Sequence, residues 1–216
     1  MQIEARLTLL AALAIALVSV SVSAHAESDF ASGNGASLTA TARLDFIVTI
    51  PRVLYLRVGT GTSFTSVGTV DLINITVPAA AVGNGVAVAA TGGDLGAGAV
   101  TVRVMGNGGN ITLNSNTAGP LHNGVAAQQI GWNRINVASA PLASTSSGFN
   151  NSAITHPAFN ATGGAGTAVL LTASNKMVQQ EGQWTYSYAN TEAVAAGTYG
   201  GVGVNNGRVT YTASMP

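Results

Sequence analysis

Cysteine is absent from the chain, and that one absence removes disulfides, thiol catalysis, iron–sulfur clusters and cysteine-based zinc sites. Charge is scarce as well. Only 7% of the 216 residues are charged, and eight basic residues balance eight acidic ones to a formal net charge of zero, so nothing electrostatic recommends a nucleic acid or an anionic membrane as partner. Aromatic residues make up 6%. The hydrophobic share of 47% is carried mostly by Ala and Val, side chains that suit closely packed sheets better than thick helical cores. Outside the amino-terminal segment no apolar period of 3.6 residues runs beyond two turns, which leaves no basis for amphipathic helices.

Catalytic and cofactor chemistry finds no foothold. Beyond residue 26 the histidines are His122, in the turn-like Pro120-Leu121-His122-Asn123-Gly124, and His156, before Pro157. Neither has a second ligand at metal spacing, and both read as solvated loop residues. The carboxylates at Glu27, Asp29, Asp45, Asp71, Asp94, Glu181 and Glu192 are scattered, with no pair spaced for glycoside hydrolysis. No Gly-x-Ser-x-Gly elbow occurs, and Thr91 to Gly96 is glycine-rich without the helix or Gly-Lys-Ser/Thr of a phosphate cradle. The expectation is a chain without catalytic residues, cofactor or metal.

The first 26 residues read as a cleaved export signal. Leu7 to Val22 is uncharged, and Ala24-His25-Ala26 fits the small-x-small pattern of a signal peptidase site, placing the cut before Glu27. The apolar part barely reaches a membrane-spanning length. The uncharged run Leu72 to Gly93 is broken by Asn74, Pro78, Gly83, Asn84 and Gly85, so no membrane span is expected after cleavage. The mature chain is expected in the periplasm, at the cell surface or outside the cell. Disulfides would be permitted there, so without cysteine its stability is expected from hydrogen-bonded sheets, tight packing or association with copies of itself.

What is present is alternation. Residues 27–37 form a polar, Gly-rich leader, and then Leu38, Ala40, Ala42, Leu44, Phe46, Val48 and Ile50 alternate without a break against Thr39, Thr41, Arg43, Asp45, Ile47 and Thr49. This is the period of two that gives a strand one apolar face. Pro51 ends it. Further strands are expected at 53–58, 67–77, 86–89, 99–105, 111–113, 128–137, 167–172, 183–189 and 208–214. The Gly/Asn-rich breaks between them, such as Gly83-Asn84-Gly85 and Gly106-Asn107-Gly108-Gly109, have the chemistry of hairpin turns. Residues 138–165 read as long loops. The reading is all-β: one antiparallel β-sandwich of about nine or ten strands over residues 38–216.

The most specific pattern closes the chain. Trp184-Thr-Tyr186-Ser-Tyr188 is followed by Ala196-Gly197-Thr198-Tyr199-Gly200 and by Gly207-Arg208-Val209-Thr210-Tyr211-Thr212-Ala213 before the final Pro216. This segment resembles the end of WxL-type surface domains, with Tyr186 where the first Leu falls. It is also similar to the end of chaperone–usher pilins of the spore-coat-U-like kind, with Gly203 at the place of the terminal-strand glycine. The pilin resemblance implies an Ig-like sandwich that assembles by strand complementation, and the WxL resemblance implies attachment to envelope glycan.

Three functions follow as expectations. The first is an exported, non-catalytic structural or adhesive surface protein, a filament or coat subunit whose partners are copies of itself or other surface subunits. The alternating segment Leu38 to Ile50 would serve either as its donor strand or as the first strand of its own domain. The second is an envelope or extracellular polysaccharide-binding module using the Trp184, Tyr186 and Tyr188 row. The third is a small outer-membrane β-barrel.

Overall fold

The computed structural model describes residues 27–35, 37–62 and 64–216; the expected signal segment 1–26 lies outside the described residues. The chain divides into two units, Met1–Ile50 and Pro51–Pro216.

In the first unit the described residues carry neither helix nor ladder. The Glu27 carboxylate accepts hydrogen bonds from Arg43 at 2.6 and 2.7 Å, and Asp29 accepts one from the Thr41 backbone N–H at 3.1 Å. The expected strand over Leu38–Ile50 forms no ladder with any of the described residues. Leu44, Phe46, Val48 and Ile50 are 71, 82, 82 and 76% exposed. The reason is physical: alternation prepares one face for burial, but a strand exists only where a second backbone supplies the other half of the ladder.

The second unit is all-β, and among the described residues no helix is long and apolar enough to cross a membrane. Its larger sheet is built on β1 (Leu54–Val58), β5 (Ala99–Gly106) and β13 (Val178–Tyr188), hydrogen-bonded in that order. β3 (Val88–Ala89), β9 (Ile135–Ala140) and β10 (Asn150–Asn151) also pair with β13. A second sheet centres on β6 (Ile111–Thr117), with β14 (Val209–Ser214) along one side and β11 (Gly164–Ala165) and β12 (Val169–Leu171) along the other. Two short ribbons complete the unit, β2 (Ile73–Asn74) with β4 (Thr91–Gly92) and β7 (Leu121–His122) with β8 (Gln129–Ile130). All pairings are antiparallel except the two-residue pairing of β10 with β13.

The side chains of both sheets meet in one buried cluster. Val100, Val102, Val104, Trp184 and Tyr186 come from the larger sheet and Ile111, Leu113 and Leu171 from the smaller, with Ile154 among them. Trp184 is fully buried, and its indole N–H donates to the Ile154 carbonyl at 2.7 Å. Burying a side chain of this size contributes about 1.5–3 kcal/mol, and the hydrogen bond removes the penalty its N–H would otherwise incur. Next to it Gly182 admits a close crossing: a Cβ there would lie 2.3 Å from the Ser152 carbonyl oxygen.

Several expected segments differ. Within 67–77 only Ile73–Asn74 forms a strand, and Val67, Val70 and Leu72 stay exposed. The strand expected over 183–189 begins earlier, at Val178. Its first half, Val178-Gln179-Gln180-Glu181-Gly182, looks polar, yet Glu181 is fully buried and ion-paired at 2.9 Å with Arg103, the residue directly opposite it on β5. Finally, Gly106-Asn107-Gly108-Gly109 is no hairpin. It carries the chain from β5 in one sheet to β6 in the other, and Asn107 fixes the crossing by accepting from the Val53 N–H at 2.8 Å and donating to the Pro51 carbonyl at 2.7 Å.

Candidate functional site

The second unit has an open flank. β1 pairs with β5 alone and β14 with β6 alone, so each leaves one backbone edge without a ladder partner among the described residues. β14 alternates: Val209, Tyr211 and Ala213 are half-buried, and Thr210, Thr212 and Ser214 are exposed. Leu56, Val58, Tyr211, Ala213 and Met215 pack on the buried cluster without being fully covered themselves. Along this flank the core reaches the surface.

A cleft of about 560 Å³ follows the β1 edge, lined by Leu54, Leu56 and Val58 of β1, by Phe64 and Val67 of the following loop, and by Tyr211 of β14. The Asp71 carboxylate holds the start of that loop, accepting from the Thr60 N–H at 2.5 Å and the Thr60 hydroxyl at 2.7 Å. Phe64 stands at φ 61°, a conformation a bulky residue rarely adopts. Its ring lies 5.1 Å from that of Tyr55 and 6.1 Å from that of Phe149, and these contacts keep it over the edge.

Tyr211 also belongs to a polar chain inside the core. Its hydroxyl lies 2.8 Å from His156 Nε2 and 2.9 Å from the Tyr186 hydroxyl. The His156 ring sits 4.6 Å from both Phe159 and Trp184, edge to face. Burial pushes the His156 pKa down to about 4 and that of Tyr186 up to about 12. Tyr211 is raised well above its ordinary value by burial first and by neighbouring Tyr186 second. All three groups are therefore neutral near pH 7. The sequence expectation of a solvated loop histidine is corrected at His156, which the fold carries in among rings. Only the neighbouring Pro157 and Phe159 hinted at that placement. His122 ends β7, opposite Gln129, and its Nδ1 accepts from the Gly124 N–H at 3.1 Å.

The other residues singled out from sequence are dispersed. Trp184, Tyr186 and Tyr188 are 0, 7 and 5% exposed, so they form an interior row and present no platform to solvent. Tyr199 donates to the Ala195 carbonyl at 2.8 Å, and Gly203 takes φ 70° in the turn ahead of β14. Gly197 packs on the Asn123 side chain, which a Cβ would approach to 2.7 Å. Carboxylates are taken up structurally: Asp94 pairs with Arg57 at 3.0 Å, and Glu192 with Arg134 at 3.1 Å. Among the described residues no three His, Asp or Glu side chains gather where they could hold a metal ion.

A second cleft, of about 400 Å³, lies on the β9 side and is lined by Trp132, Ile135, Val137, Thr155, His156 and Phe159 among others. Compared with protein families, curated proteins and solved structures, the chain matches none.

Proposed function

We propose that this chain is an exported, non-catalytic structural subunit of the cell surface, a pilin-like β-sandwich that assembles by strand complementation. In this assembly the segment Leu38–Ile50 of one copy lies in the β1/β14 cleft of another. The observation that carries the reading is a pair of unmet needs in one chain. One is an alternating apolar segment with four large side chains more than 70% exposed. The other is a core flanked by two unpaired strand edges. An inserted strand supplies main-chain hydrogen bonds to those edges, while alternate side chains fill the cleft. Left open, the same edges would invite indiscriminate pairing, so a dedicated occupant serves solubility as well as assembly.

The alternative of a polysaccharide-binding module loses its proposed platform, because Trp184, Tyr186 and Tyr188 point inward. A membrane barrel would need a sheet closed on itself, whereas β1 and β14 each end a sheet. Sedimentation of the mature chain tests the reading. The parent is expected to form polymers, and a Leu44→Arg, Phe46→Arg double variant or deletion of residues 27–42 is expected to give a monomer with an unchanged circular dichroism spectrum. A variant that still polymerises, or one that misfolds because it lost a strand of its own domain, refutes it.

A further inference from the structure

Tyr211 has two roles that meet at one atom. Its ring lines the cleft at the β1 edge, and its hydroxyl is the middle member of the Tyr186–Tyr211–His156 chain. His156 in turn lines the second cleft, on the β9 side. A line of hydrogen bonds thus runs through the core from a residue lining one cleft to a residue lining the other. We propose that His156 is the positioning residue of the β1/β14 cleft, acting through Tyr211, and that the cleft accepts a strand only while the hydrogen-bond chain runs from Tyr186 toward His156. This rests on the strand-complementation reading given above.

Counting protons fixes the direction of the chain. With a neutral imidazole the three groups hold three protons and share two hydrogen bonds. In one arrangement Tyr186 donates to Tyr211, Tyr211 donates to Nε2, and the ring proton sits on Nδ1. That nitrogen has no hydrogen-bond partner among the described residues and is not fully buried, so solvent reaches it. Every proton is then used. In the opposite arrangement Nε2–H donates to Tyr211 and Tyr211 to Tyr186. The Tyr186 proton is then left without an acceptor among the described residues, in a side chain only 7% exposed. The first arrangement wins because a buried hydroxyl with no acceptor is costly.

Protonating His156 abolishes the first arrangement, since an imidazolium donates from both nitrogens and accepts from neither. With Nδ1 already carrying the ring proton, the proton taken from solvent adds at Nε2, which then donates to the Tyr211 oxygen, and one hydroxyl proton, on Tyr211 or on Tyr186, loses its acceptor. The positive charge would sit among Trp184 and Tyr186 from β13, Tyr211 from β14, and Phe159 from its own segment. None of these contacts is a carboxylate. Tyr211 is the member on an edge strand, so relief comes most easily from its displacement, and that displacement reshapes the cleft.

The test uses the mature full-length chain and has two arms. In the first, ring-nitrogen NMR of the monomer reads the tautomer of His156. The Nδ1–H form with an unprotonated Nε2 is expected at pH 7, and the amide signals of Tyr211 and Thr212 should move on acidification with the same midpoint as the ring. In the second arm, polymer formation is followed by light scattering from pH 7 to pH 3. One unit below the ring midpoint about a tenth of chains remain neutral, so the assembly rate should fall about tenfold. His156→Gln, which still accepts a hydrogen bond and does not titrate, should assemble at pH 7 like the parent and should not show that step. An Nε2–H tautomer, β14 signals that ignore the titration, or the same acid step in His156→Gln overturns the proposal. Absence of polymer at every pH, with the tautomer and the β14 response as expected, overturns the assembly reading alone and leaves the His156–Tyr211 coupling standing.

Discussion

Replacing Phe46 by Ala is expected to weaken self-association while leaving the folded unit untouched. Phe46 is 82% exposed, so nearly all of its apolar surface remains to be covered when the segment docks. Covering a Phe side chain contributes about 1.5–3 kcal/mol; losing about 2 kcal/mol of that raises the dissociation constant about 30-fold. The control lies one residue away. Ile47 is also apolar and even more exposed, at 93%, but it has the opposite parity and would point out of the cleft in an inserted strand. Ile47→Ala is therefore expected to shift the constant less than twofold, about the scale of a surface substitution. Sedimentation of a dilution series gives the constants, and thermal melting of the dilute monomer shows that neither variant disturbs the fold. Equal losses from Phe46→Ala and Ile47→Ala would refute the argument, since nonspecific adhesion has no parity. A lower monomer melting temperature for Phe46→Ala would refute it in another way, by showing that the segment already packs on its own chain.

Breaking the buried pair by Glu181→Ala should cost about 3–5 kcal/mol in urea unfolding, because it removes a fully buried carboxylate that binds Arg103 and accepts from the Ser146 N–H, whereas the double change Arg103→Met, Glu181→Leu should recover most of it. Trp184→Ala should destabilise by about 3–5 kcal/mol through the cavity it leaves, and the backbone amides of the segment around Ile154, whose carbonyl the indole holds, should exchange faster with solvent. The depressed His156 pKa of about 4 predicts a pH dependence of stability. Unfolded chains take up the proton near pH 6.5 and folded ones only near pH 4, so this contribution is full above pH 6.5 and is lost as the pH falls to 4. It amounts to about 3 kcal/mol, and the corresponding slope should vanish in His156→Gln.

Strands β5 and β14 were legible in the sequence because their signals are local: Ala99 to Met105 is a β-branched run, and Arg208 to Ser214 alternates. The all-β class followed from the same patterns and from the missing helical period. The start of β13 was hidden, since Glu181 acquires its place only through Arg103 on a strand far away in the chain. Gly106 to Gly109 carries turn chemistry, but local composition does not say whether a turn returns a strand to its own sheet or delivers it to the facing one. His156 was unreadable for a similar reason: its cage is assembled from β13, β14 and its own loop. The alternation over Leu38–Ile50 predicted a strand that the described residues do not form, and the cleft was not legible at all, because an unpaired edge is a property of sheet order.

The adjacency of Ile50 and β1 along the chain has a mechanical corollary. If a neighbour's segment lies against β1 while the subunit's own segment leaves from the residues just before it, tension along a row of subunits enters and departs at the same strand. Traction is then resisted in shear by the five β1–β5 residue pairs and by the inserted strand. The Trp184 interior and the long β13 strand stay off the line of force, so a stretched row should give way at its joints while each body survives intact.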